Sequence, residues 1–238
     1  MALLFINTSF INHPENAIAK GDLYFNQMRY LDAIAWYSLD SANAEAQWKI
    51  ARANICIGES TDKNLKEAYF RKAEKAARAC ITINERNGYG HTWLAAALGT
   101  VAMYEGSKTK ILLVTEIRKE LDRAIALNPK DDIAYSILGS VYREIGNISW
   151  FERQLAETFI GKIPSGGYED SEKAFKQATT LAPDIMRHWC EFGLLYEYWD
   201  KPELAKQAFL KAKACPVFLK GDHDRLIIIE EHLKNLND

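Results

Sequence analysis

Glycine and proline are scarce, 13 and 6 among 238 residues. That excludes a collagenous or low-complexity chain and argues against a turn-rich all-β domain. An excess of one charge is also missing: 30 Lys and Arg stand against 32 Asp and Glu, a formal net charge of −2. Polyanions therefore meet no global attraction, and the sequence offers no basic patch, so no nucleic-acid partner is expected. No apolar run reaches the roughly 20 residues of a membrane-spanning helix. The closest, residues 93–104, is too short and too rich in Ala and Gly, and no membrane insertion is expected. The first six residues are apolar but brief, have no Lys or Arg before them and run into Asn7-Thr8-Ser9, which is not a secretory signal as it stands. A cytoplasmic location is expected, or a periplasmic one if the chain is a trimmed mature form.

Reactive chemistry is missing as well. Cys56, Cys80, Cys190 and Cys215 show neither CxxC spacing nor His at ligand spacing, so no metal is expected and buried thiols are the plain reading. Cys190 and Cys215 would approach one another if their helices run antiparallel, which permits a disulfide without requiring one. Gly161-Lys162 fails the phosphate-loop pattern, because Ile163 follows and Ala156 holds the leading glycine position. The five histidines are scattered, with no HExxH and no nucleophile elbow; His91 and His188 stand beside Trp93 and Trp189, where packing or capping explains both. No enzyme and no cofactor are expected.

What is present is self-similarity. Tyr135-x2-Leu138-Gly139-x2-Tyr142 is followed by Gly146 and preceded by Leu121-x2-Ala124 and Pro129. A second copy reads Trp189-x3-Gly193-x2-Tyr196, then Ala205-x3-Phe209-x2-Ala212, with Ser171-x3-Phe175-x2-Ala178 and Pro183 ahead of it. A small residue lets one helix approach its partner closely while aromatics fill the remaining gap. These segments resemble the tetratricopeptide repeat. Weaker copies lie around Gly21, Ala51 and Ala97. The close-approach positions Gly21, Ala51, Ala97, Gly139 and Gly193 are spaced 30, 46, 42 and 54 residues apart, against a period of about 34.

The expected fold is all-α: a right-handed superhelical solenoid of about five such helix pairs, with an inserted helix and a C-terminal capping helix. The expected organisation is an extension over 1–13, an array over 14–217 and a cap over 218–238. Within the array the units are placed at 14–43, 44–88, 89–131, 132–184 and 185–217, with the surplus at 59–64, 105–109 and, above all, 148–170. Ile148, Phe151, Leu155 and Phe159 recur at three and four residues, so the insertion is expected to be a helix whose aromatic stripe packs as core, a binding role remaining open. The nearly apolar stretch 93–104 is expected mid-array, covered on several sides. The segment 222–236, with Leu226, Ile229, Leu233 and Leu236 on one face, is expected to close the last repeat.

A narrower resemblance lies in Trp150-Phe-Glu-Arg-Gln-Leu-Ala156, Ile163-Pro-Ser-Gly-Gly-Tyr168, Ala174-Phe-Lys-Gln-Ala178 and Leu181-Ala-Pro183, with His91-Thr-Trp93 and Asn128-Pro129 upstream. These segments are similar to the regulator of microtubule dynamics family and its bacterial tetratricopeptide relatives. The resemblance implies a non-catalytic helical adaptor, associated with microtubules in eukaryotic members. Eukaryotic members commonly add an N-terminal membrane or targeting segment, which this sequence does not show. No Lys- or Arg-rich stripe is visible to meet an acidic tubulin surface.

In such a superhelix the first helix of each pair lines the concave groove. By helical phase the partner-binding candidates are Asp22 and Asn26, then Trp48, Arg52 and Ile55, then Ser136, Ser140 and Arg143, then Arg187, Leu194, Glu197 and Tyr198. The third pair cannot be phased and contributes none. Arg is suited to anchoring a carboxylate through its planar fork, although solvated surface or ion pairs within the array would use it as well. The Lys and Asn pair with which tetratricopeptide domains clamp chaperone C-termini is replaced by Ile18 and Asp22. The expected function is a protein–protein interaction scaffold holding a peptide or helix in the groove. The alternatives are a structural subunit using terminal or convex surfaces, with Ile227 and Ile228 buried in an oligomer, and a small-molecule or lipid carrier with a cavity beneath Phe151 and Phe159.

Overall fold

The computed structural model describes residues 16–159 and 161–236; the expected extension and the apolar first residues lie outside them. The described residues form twelve α-helices, with one short 3-10 turn at Ser38–Asp40 and no strand. Five helix pairs follow one another: α1 (Ala17–Asn26) with α2 (Tyr30–Tyr37), α3 (Ala44–Glu59) with α4 (Lys63–Ile83), α5 (Gly88–Glu105) with α6 (Ser107–Leu127), α7 (Asp132–Gly146) with α9 (Tyr168–Leu181), and α10 (Met186–Tyr198) with α11 (Pro202–Ala214). The extra helix α8 (Trp150–Phe159) interrupts the fourth pair, and α12 (Gly221–Asn235) packs on the fifth.

Within each of four pairs a glycine faces a ring. A Cβ on Gly21 would overlap the Tyr37 ring and one on Gly58 the Phe70 ring; on Gly139 it would sit 2.8 Å from Phe175 and on Gly193 2.6 Å from Phe209. Tyr37, Phe175 and Phe209 are fully buried by this approach, as are Ala51 and Ala97 at the remaining close-approach positions. Ser171 Oγ adds a 2.7 Å bond to the Gly139 carbonyl.

The inner helices of the middle pairs begin with side-chain caps. Asn43, Asn87 and Asp131 accept from the backbone N–H of Glu45, Gly90 and Ala134 at 2.9, 3.2 and 3.2 Å. Asp131 also accepts from Thr92 Oγ1 at 2.7 Å, tying α7 to α5. The two histidines at equivalent starts are both buried against carboxylates: His91 pairs with Glu120 at 2.5 Å and His188 with Asp132 at 2.8 Å. The first and last pairs turn tightly through Met28 (φ 59°) and Asp200 (φ 55°), where the helix ends in a left-handed residue followed by a backbone bond back five positions.

The apolar α5 lies mid-array, packed on α3, α4, α6 and α7, with Leu94, Ala95, Leu98 and Val101 in the core. The inserted helix differs from expectation. Phe151, Leu155 and Phe159 are 65%, 44% and 79% exposed, and Trp150 is 75% exposed; the stripe faces outward. Ala156, with Ile148 and Ile163 on either side, makes the contact with Ile111, Val114, Val141 and Tyr142. The contact with α6 and α7 is made by these small and flanking side chains, and the opposite, larger face has no neighbour among the described residues.

Adding a methyl group should separate the two kinds of glycine. Gly193→Ala must displace the Phe209 ring and is expected to cost about 1–3 kcal/mol. Gly99→Ala, in the middle of α5 with nothing within 4 Å of its added Cβ, is expected to stabilise by about 0.5–1 kcal/mol. Urea unfolding of the two variants checks the opposite signs.

Candidate partner-binding cavity

The C-terminal segment does more than cover the last repeat. Leu226, Ile229 and Leu233 of α12 pack into the cluster around Phe209, and the His232 ring stacks on Phe209 with centroids 5.1 Å apart. The turn before α12 also reaches the start of the array. Leu219 packs among Phe25, Tyr30, Ala33 and Cys56, and the Lys220 N–H donates to Tyr30 Oη at 2.9 Å. Asp222 shapes this turn by accepting from the N–H groups of Phe218 and Leu219 at 3.0 and 2.8 Å. The expected cap therefore also bridges the two ends of the array.

Between the bridge and the inner helices lies a cavity of about 580 Å³. Its apolar walls come from Ile55 and Phe70 of the second pair, Gly99 and Met103 of α5, Ile117 of α6, Ile137 and Val141 of α7, Leu194 of α10 and Ile228 of α12. Most charged groups in the wall are paired with one another. Glu59 accepts from Arg187 at 2.5 Å and from Arg225 at 3.0 Å; Glu191 accepts from Arg143 at 2.8 Å and from Ser140 Oγ at 3.2 Å; Lys110 pairs with Glu144 at 2.8 Å. Arg143 Nε is buried and has no hydrogen-bond partner.

Of the twelve sequence-selected groove residues, Ile55, Ser140, Arg143, Arg187 and Leu194 line the cavity. The others stand elsewhere. Asp22 accepts from Tyr37 at 2.7 Å and from Lys49 at 2.6 Å, while Asn26 is exposed near the end of α1. Trp48 packs on Tyr89 with centroids 4.8 Å apart, and Arg52 lies 3.7 Å over the Phe25 ring. Ser136 is buried at 2% exposure. Glu197 pairs with His232 at 2.7 Å, and Tyr198 stays 48% exposed beside Arg143. Arg143 and Arg187 are thus engaged within the fold.

Reasoning from the sequence missed Glu59, Gly99, Met103, Glu191 and Arg225. Glu191 follows one turn after Arg187 on a helix already assigned to the groove, so helical phase could have found it. Nothing local marks Glu59 or Arg225, whose meeting spans 166 residues. The cavity is also not beneath Phe151 and Phe159, where a carrier would have needed it. All four cysteines are free thiols, and Cys215 Sγ lies 3.3 Å from the Lys211 carbonyl. Among the described residues no helix is long and apolar enough to cross a membrane.

The wall carboxylates set a pH dependence. Burial by itself would raise the pKa of Glu59, but the charges of Arg187 and Arg225 outweigh it and hold the group below the ordinary carboxylate value. Glu191, half-buried, is held down in the same way: burial alone would raise it, and Arg143 chiefly outweighs that. A depressed folded pKa contributes stability that is complete above the unfolded value of about 4.3 and is lost as pH falls through the folded value. Thermal melts from pH 7 to pH 3 should therefore show the wild type losing stability more steeply below about pH 4.3 than Glu59→Gln, which carries no such proton. Parallel curves would remove Glu59 from the account.

Comparison with known proteins covers nearly the whole array. The family model described as regulator of microtubule dynamics protein 1-3 matches residues 18–237. Regulator of microtubule dynamics protein 1 of Mus musculus is 27% identical over 186 residues, 77% of this chain and 61% of that protein. Regulator of microtubule dynamics protein 2 of Bos taurus is 31% identical over 179 residues, 74% of this chain and 44% of that protein. The chain thus spans 61% or less of the length of these two relatives. Among solved structures, a thermophilic TPR protein of Thermus thermophilus superposes with a TM-score of 0.66 at 18% identity, over 93% of this chain and 99% of that one. That likeness concerns the fold, an all-α tetratricopeptide solenoid. By the extent of the family match, the chain belongs to the regulator of microtubule dynamics protein 1-3 family.

Proposed function

We propose that the chain is a non-catalytic protein-interaction scaffold that holds a short segment of its partner in the inner cavity. The observation that carries this reading is the cavity itself: about 580 Å³ of space with apolar walls from α3, α5, α7, α10 and α12. That volume lies in the range of pockets that enclose a ligand's apolar surface while a few polar groups fix its orientation. Ser140 Oγ and the Arg187 guanidinium are polar groups of this wall. Ser140, Arg143, Arg187 and Leu194, with Ile55 at the floor, are the sequence-selected residues that this reading keeps as binding residues. Ser136, Trp48, Arg52, Asp22 and Glu197 support the array, while Asn26 and Tyr198 remain available outside the cavity.

The relatives' name, regulator of microtubule dynamics, makes tubulin the first partner to test. A net charge of −2, with the cavity's arginines neutralised by carboxylates, argues against attraction to an acidic surface by charge alone. It equally disfavours nucleic acid. A second reading, a structural subunit of a larger assembly, draws on the outward stripe of Trp150, Phe151 and Phe159, since exposed apolar patches mark interaction sites.

Gly99 allows a direct test, because a side chain added there enters the cavity without meeting the core. Gly99→Trp should abolish capture of the partner from a lysate of the source organism, and co-sedimentation with polymerised tubulin if tubulin is that partner, while Gly99→Ala retains both. Undiminished capture by the folded Gly99→Trp chain would overturn the cavity reading. Loss of capture in Phe151→Ser/Phe159→Ser instead would favour the assembly reading.

A further inference from the structure

A solenoid holds each repeat against its neighbours alone, so its two ends ordinarily share no contact. Here they meet, through the turn before α12 and through one carboxylate. Glu59 ends α3, in the second pair. It receives Arg187 of α10 across 128 residues of sequence and Arg225 of α12 across 166. Both guanidinium groups come from the C-terminal side, and Glu59 is the acceptor they share. The side chains of Glu59 and Arg225 are 19% and 13% exposed; Arg225 also donates to Asp222 at 2.7 Å, so removing the Glu59 carboxylate takes away the one acceptor that Arg187 and Arg225 share and leaves Arg225 on Asp222 alone, in a poorly solvated place.

The contact is also the seam of the cavity. Glu59, Arg187 and Arg225 all stand in its wall. Around them the bridge includes the Lys220 N–H on Tyr30 Oη, the Leu219 side chain, Gly221 against Glu59, and Asp222, which holds Arg225 at 2.7 Å. Helix α12 itself is anchored along α10 and α11 by Leu226, Ile229 and Leu233. Loss of the seam therefore frees one end of the array from the other while each end keeps its own core.

We propose that Glu59, Arg187 and Arg225 form a clasp that closes the solenoid into a ring, and that the cavity admits a segment through this seam when the clasp opens. The closing contact does not depend on what the cavity holds. The admission of a segment rests on the cavity reading above.

Two groups already in the chain report on the clasp. The Lys220 amide is bonded across the seam. Cys190 is a free thiol on the cavity wall, 4% exposed, whereas Cys80 is a free thiol at 0% exposure in the core beside α5. Site-resolved hydrogen exchange and alkylation by N-ethylmaleimide are to be measured on the full chain as wild type, Glu59→Gln and Arg225→Gln. Opening of the seam as a local unit should raise exchange at 218–222 and labelling of Cys190 by about tenfold or more in Glu59→Gln, by less in Arg225→Gln, and leave Cys80 unchanged.

Unchanged exchange at 218–222 in Glu59→Gln overturns the clasp. Faster exchange with unchanged Cys190 labelling overturns its control of the cavity. Cys80 rising in step with Cys190 in both variants makes Glu59 a support of the whole fold and also overturns the proposal. Failure of the cavity reading would be seen separately, as undiminished partner capture by Gly99→Trp with the clasp responding as expected.

Discussion

The fold depends on a glycine meeting an aromatic ring inside the helix pair. At Gly139 and Gly193 the rings of Phe175 and Phe209 lie where a Cβ would be, and no larger residue permits that separation. The approach fixes the azimuth of the inner helix, since the glycine edge must face its partner. With that edge fixed, the residues one turn away face either the next pair or the concave side. Packing density inside the pair thus decides which side chains reach the cavity.

This is why much of the array was legible in the sequence. The spacing of Gly139, Gly193, Phe175 and Phe209 is local and repeats, so both helices of the last two pairs could be phased from it. Of the residues chosen by helical phase, Ile55, Ser140, Arg143, Arg187 and Leu194 stand in the cavity wall, whereas Asp22, Asn26, Trp48, Arg52, Ser136, Glu197 and Tyr198 do not. Phase failed for α5, which is apolar on all faces and gives no phase, although Gly99 and Met103 of that helix stand in the cavity wall. It could not see the fold-back of the C-terminal turn, because Lys220 and Tyr30 are 190 residues apart and neither carries a local mark.

The inserted helix fails in a different way. A stripe of Phe151, Leu155 and Phe159 reads as a buried face because most such stripes are. Period alone tells which residues share a face; it does not tell which face finds a neighbour. Here Ala156 and Ile163 fill the contact with α6 and α7, and a helix of ten residues has no second neighbour on the other side. The arginines of the concave side illustrate the same limit. Their positions followed from phase, but their carboxylate partners lie on other helices or at other turns, and only the assembled fold shows that Arg143 and Arg187 are engaged.

That engagement determines what kind of groove this can be. A cavity whose arginines were free would draw anions from a distance and lose affinity steeply with salt. With Glu59 between Arg187 and Arg225, Glu191 on Arg143 and Glu144 on Lys110, the wall presents a pattern of short-range fields and little net charge. Long-range steering is then weak, and discrimination in such a cavity falls to shape and to the apolar area contributed by Ile55, Ile137, Val141 and Leu194. A charged group that entered would compete with an ion pair already made and would have to be desolvated as well.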